Sequence, residues 1–398
     1  MVDLNKGATV GLVKALSDDI RTDANGVKHL SAGAAVRDLY NKLENEIDAL
    51  AEITHINSWA DVQKAVRSGM ANKIFSIGDQ LTCQRNGVNL VWDIIGIDHD
   101  TPADSEYTHS MTLLLHDCFP TTMQFDAAEA FYYAESGLAA GTYHFMIDSS
   151  DYQFTLANAV PAGGQLILNW TGTAPTGVSV SPTRGGAIEG GAVSVTQGSG
   201  GTSLGTLTNA GDFAHHLNSL HRITNGSSNY KESAIRQWLN SSAAAGSVWT
   251  AQTQFDRPPL SATNTAGFMN GMDADFLAVI GNTHIIAARN TLTDGGGADE
   301  MNDKFFLLSR SEVFGGSDTG VNEGTAYPYY ANYSDLTAAG TGNDSNRIKM
   351  INETPQIWIL RSCTSSWGYG VRSIIGNGAI DSNYADGERA FAPACNII

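Results

Sequence analysis

The spacing of apolar residues changes three times along the chain. Within residues 35–50, Leu39, Leu43, Ile47 and Leu50 recur at spacings of four and three, which puts them on one face of a helix. Ser31 stands where an N-cap belongs, and residues 1 to about 70 read as helical. Two to three heptads are marginal for an isolated coiled coil. The apolar face therefore either packs on its own domain or joins copies of the chain in a short stalk. From about Ile74 the period becomes two and β-branched residues dominate. Residues 77–82 and 90–97 predict strands separated by an Asn86-Gly87 turn, and 110–115 predict a third.

A second change comes at about Phe125. From there to Leu207 the chain has almost no Lys or Arg and is rich in Gly, Thr, Ser and Val. Strands are predicted at 141–147, 153–156, 165–170, 178–181 and 192–196, punctuated by Pro161-Ala162-Gly163-Gly164 and Gly198-Ser199-Gly200-Gly201. This is the pattern of a small all-β module inserted between other elements. Its glycines do not form a phosphate loop, because no Lys follows them at the required spacing. After about Asn209 helical spacing returns at 213–221 and 231–239. Short strands with long loops follow, at 275–280, 283–288, 304–308, 356–360 and 369–374. The fold class is α+β, and long loops on a compact scaffold are where binding surfaces are usually built.

Composition narrows the function. Only 16% of the 398 residues are charged, against roughly 25% in an average domain. Yet 41 acids face 23 bases, for a net charge of −18. A nucleic-acid partner would need the opposite balance. Hydrophobic residues make up 42%, enough to exclude a disordered chain. No apolar run approaches the ~20 residues of a membrane span, and the first residues lack the apolar core of a secretory leader. The expectation is no membrane insertion and assembly in a cytoplasm. Cys83, Cys118, Cys363 and Cys395 form no CxxC pair and are expected to be buried free thiols, a Cys363–Cys395 bridge being the alternative.

Some polar clusters invite chemistry. His215, His216 and His221 fall on a predicted helix without metal-site spacing, which favours a structural or surface role over zinc. The acidic, Gly-rich run at 294–303 reads as a loop whose oxygens would suit Ca²⁺, though it lacks the EF-hand pattern, and a solvated acidic loop is the simpler reading. Asp98-His99-Asp100 and His116-Asp117 have no nucleophile ordered beside them and read as turn and surface positions.

Several segments together match one family. Tyr230, Ser233, Ile235, Arg236, Trp238, Leu239 and Asn240 stand in the order of its Y-x-x-S-x-[IL]-R-x-W-L-N helix. Residues 303–309, followed by Glu312-Val313-Phe314, fit its D-K-x-F-L-L-S strand. Residues 326–331 fit a Tyr-containing loop, and Trp358, Leu360, Arg361 and Ser362 fit W-[WI]-L-R-S. Residues 376–380 and 390–395 fit its closing segments, except that Ala392 stands where an Arg usually precedes the Pro. The chain resembles the C-type-lectin-like domain of bacterial and phage proteins. That domain is related to the variable proteins of diversity-generating retroelements and, more distantly, to formylglycine-generating enzymes. The resemblance spans 75–124 and 209–398. It makes 125–208 an inserted β-rich module and 1–70 a helical segment for attachment or oligomerisation.

The resemblance implies a scaffold for ligand display rather than an enzyme, with no cofactor required. In the retroelement proteins the variable residues lie in the last segment, which corresponds here to 361–389. Ser365, Ser366, Trp367, Tyr369, Arg372, Asn377, Asp381, Ser382, Asn383 and Tyr384 are then the candidate ligand-binding residues. The aromatics supply rigid area and the neutral polar residues supply adaptable hydrogen bonds, whereas aromatics buried in the core are the competing reading. Trp358 and Arg361 belong to the fold. Cys363 and Cys395 lack the flanking residues of the copper-binding pair of formylglycine-generating enzymes, so oxidase chemistry is not expected. The implied protein is a phage virion adhesin or receptor-binding protein, in a tail or head fibre. It would bind a host cell-surface protein or glycan, contact other virion proteins through its N-terminal segment and form a homotrimer. The alternatives are a structural capsid or tail decoration protein, and a glycan-active enzyme with paired carboxylates.

Overall fold

The computed structural model describes residues 28, 31, 34, 36–43, 56–127, 131–134, 136–147, 149–162, 164–172, 192–207, 226–250, 259, 264–291, 294–330, 336, 344–365 and 367–398. The chain divides into two compact units, 1–65 and 66–398. In the first unit, residues 36–43 are helical, and Ser31 Oγ accepts a hydrogen bond from the Ala34 N–H at 3.1 Å. An Asp38–Lys42 pair at 3.0 Å lies along this helix, which leaves Val36, Leu39, Tyr40 and Leu43 exposed. Ile47 and Leu50 lie outside the described residues. Helix α1 (Trp59–Arg67) starts at Ser58, whose Oγ donates to Asp61 Oδ2 at 2.8 Å and accepts from the Asp61 N–H at 3.2 Å.

The second unit is built on an antiparallel sheet. Strands β1 (Gln80–Arg85) and β2 (Val88–Ile97) form the expected hairpin, turning through Asn86 and Gly87 at φ 49° and 79°. Strand β3 (Met111–Leu115) follows on β2 and is buried along its whole length. The inserted segment forms a second sheet. Its strands are β4 (Phe131–Ala134), β5 (Gly141–Ile147), β6 (Ser150–Leu156), β7 (Gly164–Trp170), β8 (Ala192–Gln197) and β9 (Thr202–Leu207), in the spatial order β9-β5-β6-β8-β7-β4. Strand β8 pairs with β7 over Ala192–Val195 and with β6 over Thr196–Gln197, so it links the two halves of the sheet. Phe145, Tyr152, Phe154, Leu166, Leu168 and Val195 are among the residues of a core that belongs to this sheet alone. The predicted strand at 178–181 lies outside the described residues.

After the insertion the chain returns to the first sheet. Helix α2 (Ala234–Leu239) buries Ala234, Ile235, Trp238 and Leu239, as its spacing requires. Helix α3 (Ala274–Val279) occupies a segment predicted as a strand. Six residues with Phe276 and Val279 inward satisfy either period, and Asp273 just before them suits a helix start. Strands β10 (Ile280–Gly281), β11 (Thr283–Ala288), β12 (Ala298–Asp303) and β13 (Phe305–Leu307) follow. Then come helix α4 (Arg310–Phe314) and strands β14 (Trp358–Cys363), β15 (Gly370–Ile374), β16 (Ile380–Tyr384) and β17 (Pro393–Ile397). Strand β17 lies between β3 on one side and β13 and β10 on the other, all antiparallel, which completes the first sheet. Strands β14, β15 and β16 form a separate antiparallel sheet.

The architecture is α+β. All four cysteines are buried and free. Among the described residues, no helix is long and apolar enough to cross a membrane.

Candidate functional site

The motif residues of α2, β13, α4 and β14 build a buried, hydrogen-bonded support. Ser233 Oγ caps α2 by accepting from the Arg236 N–H. Arg236 forks onto Asp303 at 2.8 and 2.7 Å. Asn240 accepts from the N–H groups of Lys304 and Phe305 and donates to the Phe305 carbonyl. Ser309 and Glu312 form a capping box on α4. Glu312 also holds Arg361 through two contacts of 2.6 and 2.7 Å. The Arg361 guanidinium donates in addition to the carbonyls of Ile286, Leu307 and Glu323. Burial disfavours charge on Arg361, but Glu312 and Glu323 outweigh it and keep the guanidinium charged. Trp358 and Arg361 are 0% and 1% exposed, so both belong to the scaffold.

This scaffold carries a cluster of three aromatic rings, two of them exposed. Trp367 and Tyr384 are 42% and 50% exposed, while Tyr369 is buried beneath them. The Trp367 and Tyr369 rings stack at 6.0 Å with 20° between their planes. Tyr384 lies 5.0 Å from Tyr369 and 6.2 Å from Trp367. Two features hold Trp367 there. Thr364 Oγ1 accepts from the Trp367 N–H and donates to the Trp367 carbonyl. The Asn290 amide, fully buried, donates to the carbonyls of Thr364 and Trp367 at 2.6 and 2.7 Å. Gly370 pairs directly with Tyr384, and a side chain there would run into Thr364 and the Trp367 Cβ.

The β15–β16 register sorts the remaining candidates. Arg372 and Ser382 are paired on the same face as Tyr384, and Arg372 Nη1 donates to Ser382 Oγ at 2.8 Å. The Arg372 Nε contacts Asp318 at 2.5 Å, and Arg310 lies 3.5 Å from the same carboxylate, tying the 315–320 loop to the hairpin. Asn383 points the other way, donating to Ser373 and accepting from Arg389. Asp381 is exposed on that opposite face. Asn377 is exposed in the β15–β16 turn, where its side chain accepts from the Ala379 N–H. Ser365 is exposed beside Trp367, and Ser366 lies outside the described residues. Three aromatics, Arg372, Ser382 and Ser365 thus lie toward one end or face, whereas Asn377, Asp381 and Asn383 do not join them. Asn290 and Asp318 were not legible as part of this site, since nothing in their local sequence ties them to a segment more than fifty residues away.

The other polar clusters resolve into structure. The run at 294–303 is not a loop throughout, because 298–303 form strand β12 with Asp299, Met301 and Asp303 turned inward. Asp303 is held by Arg236, and Asp299 lies 3.4 Å from Lys231 and 3.8 Å from Arg289. Among the described residues, no group of three or more His, Cys, Asp or Glu side chains is placed to hold a metal ion. Asp100 is not a surface residue: Thr112, Tyr327 and Asn396 donate to its Oδ2, and His99 Nδ1 lies 2.9 Å from its Oδ1. His116 Nδ1 likewise meets the buried Asp93, which also accepts from the Tyr329 hydroxyl. An acid inside the apolar run Trp92-Asp93-Ile94-Ile95 was the available signal for a buried polar centre. His215, His216 and His221 lie outside the described residues.

A family model described as a domain of unknown function, DUF6273, matches residues 211–398. The matched segment begins after the β-rich insertion and contains the whole aromatic hairpin, but not β1–β3, which share a sheet with its last strand. No curated protein and no solved structure matches the chain.

Proposed function

We propose that the chain is a virion adhesin of a phage, with a C-type-lectin-like scaffold that presents the Trp367–Tyr369–Tyr384 cluster to a ligand on the host surface. The observation that carries this reading is the exposure of two large aromatics on a hairpin whose base is fixed by buried ion pairs and backbone hydrogen bonds. A soluble chain gains nothing in stability from leaving an indole and a phenol in water, and rigid aromatics are the residues that most often anchor an interface. Arg372, Ser382 and Ser365 supply the polar rim. The sharing of one sheet by 80–115 and 280–397 supports a single lectin-like domain assembled from two distant segments. The exposed face of Val36, Leu39, Tyr40 and Leu43 supports a helical stalk that joins three copies.

The test is binding of the intact purified chain to cells of a panel of bacteria. A positive strain should lose binding to the Trp367→Ser/Tyr384→Ser double variant while thermal stability is retained. Undiminished binding by that variant would overturn the assignment of the face. Sedimentation at micromolar concentration should give a trimer, and Leu39→Glu/Leu43→Glu a monomer.

A further inference from the structure

A pocket apart from the aromatic hairpin has the chemistry of a ligand site. It opens beside the β1–β2 turn, encloses about 370 Å³, and is lined by Leu90, Phe119, Pro120, Trp238, Ala266 and Arg85, among others. That volume falls at the small end of the range for ligand pockets, roughly 300–1,000 Å³. Its walls are mainly apolar, with the Phe119 and Trp238 rings meeting edge to face at 5.5 Å.

Arg85 is the unusual member. Its Nε donates to the Phe268 carbonyl at 2.7 Å and its Nη2 to the Gly267 carbonyl at 3.1 Å. Its Cζ lies 5.3 Å from the centre of the Phe119 ring and 5.9 Å from that of Phe268. The guanidinium is therefore fixed in place by two carbonyls and two rings. Among the described residues no carboxylate pairs with it, and Nη1 bonds no protein group. This stands out in a chain with 41 acids and 23 bases, where Arg236, Arg361 and Arg372 each hold a carboxylate. Burial lowers the Arg85 pKa, with no nearby acid to offset it. A half-buried, oriented cation on an apolar wall lacks one thing, an anion that also carries apolar surface.

We propose that this pocket binds a small carboxylic acid with a flat apolar body, its carboxylate on Arg85 and its body against Phe119 and Trp238. The inference is independent of the adhesin reading, since the pocket shares no residue with the aromatic hairpin.

Ligand-observed NMR on the intact chain tests it, with benzoate, 1-naphthoate and hexanoate each compared with its own carboxamide. Benzoate or 1-naphthoate should bind, more tightly than hexanoate, and its amide should bind about tenfold more weakly, as expected for loss of a charge-assisted contact. Arg85→Met should erase that preference. Ala266→Phe should fill the pocket and abolish binding with Arg85 intact, thermal unfolding showing that the variant remains folded. Should the Arg85 variant fail to fold, the acid–amide comparison on the native chain and the Ala266 variant still decide. Absence of binding by both aromatic acids, equal binding of acid and amide, an acid preference that survives Arg85→Met, or retained binding in Ala266→Phe would each overturn the proposal.

Discussion

Replacing Gly370 by alanine would isolate the contact that lets Trp367 lie beside Tyr384. Gly370 is not among the residues at positive φ, so alanine meets no backbone penalty there and the cost is steric. A Cβ at this position would come 2.5 Å from Thr364 Oγ1 and 3.0 Å from Trp367 Cβ. Neither neighbour can yield freely, because Thr364 and Trp367 hold each other through contacts of 3.1 and 3.2 Å. Overpacking of this kind costs about 1–3 kcal/mol, and weakening the two hydrogen bonds without breaking them adds about 1 kcal/mol between them. Gly370→Ala should therefore lose about 2–4 kcal/mol in urea unfolding. Its near-UV circular dichroism should also lose the signal of the coupled rings. Thr364→Ala alone should cost about 1–2 kcal/mol. Combined with Gly370→Ala it removes the closest clash, so the double variant should cost less than the sum by about 1 kcal/mol or more. A Gly370→Ala protein within about 0.5 kcal/mol of the native chain, with unchanged ring signals, would refute this account of the hairpin. So would strictly additive costs.

Three further outcomes follow from the scaffold. Arg361→Met strands Glu312 and Glu323 in the interior and should cost about 3–5 kcal/mol by denaturant unfolding. Glu312→Gln, which keeps an acceptor for Arg361, should cost less, and the reverse order would contradict the role given to the pair. Asn240→Ala leaves the Lys304 and Phe305 N–H groups and the Phe305 carbonyl without their partner, so a loss of about 2–3 kcal/mol is expected. Burial works against charging His99, but its hydrogen bond to and attraction by Asp100, with the Ala326 carbonyl on the other nitrogen, raise its pKa above 6.5. At Asp100 burial works against ionisation, but hydrogen bonds from His99, Asn396 and Tyr327 outweigh it and lower the pKa below 3.8. A raised His pKa stabilises the fold fully below 6.5, and that contribution is lost as pH rises through the folded value. The Asp100 contribution is present above 3.8 and is lost as pH falls through its folded value. His99→Gln should hence cost more stability at pH 5.5 than at pH 9, measured by urea unfolding, and equal costs would remove His99 from the balance.

Local patterns were legible where local forces decide. Asn86-Gly87 specified its hairpin because both residues accept positive φ, and the buried face of α2 followed from the spacing of Ala234, Ile235, Trp238 and Leu239. Residues 274–279 were misread because a six-residue apolar segment does not distinguish the two periods. Residues 298–303 read as an acidic loop because the partners of Asp299 and Asp303, which are Lys231, Arg289 and Arg236, fall in no local window. The hairpin aromatics were visible as residue types, but not their contact. That depends on Asn290, Thr364 and the absence of a side chain at Gly370. Arg85 gave no signal at all, since what marks it is the lack of a carboxylate.

The position of β17 bears on how the chain folds during synthesis. Leu114 pairs with Ala394, 280 residues later, and β13 and β10 also need β17 as their neighbour. The first three strands must therefore wait, one edge unsatisfied, until β17 has left the ribosome. Such long-range pairing slows folding and exposes apolar edges to aggregation. The inserted sheet differs, because its strands pair within 131–207 around a core of their own and can form as soon as they emerge. The stretch of chain that β3 must close to reach β17 would then already contain a folded unit over 131–207, with less flexible chain left to order.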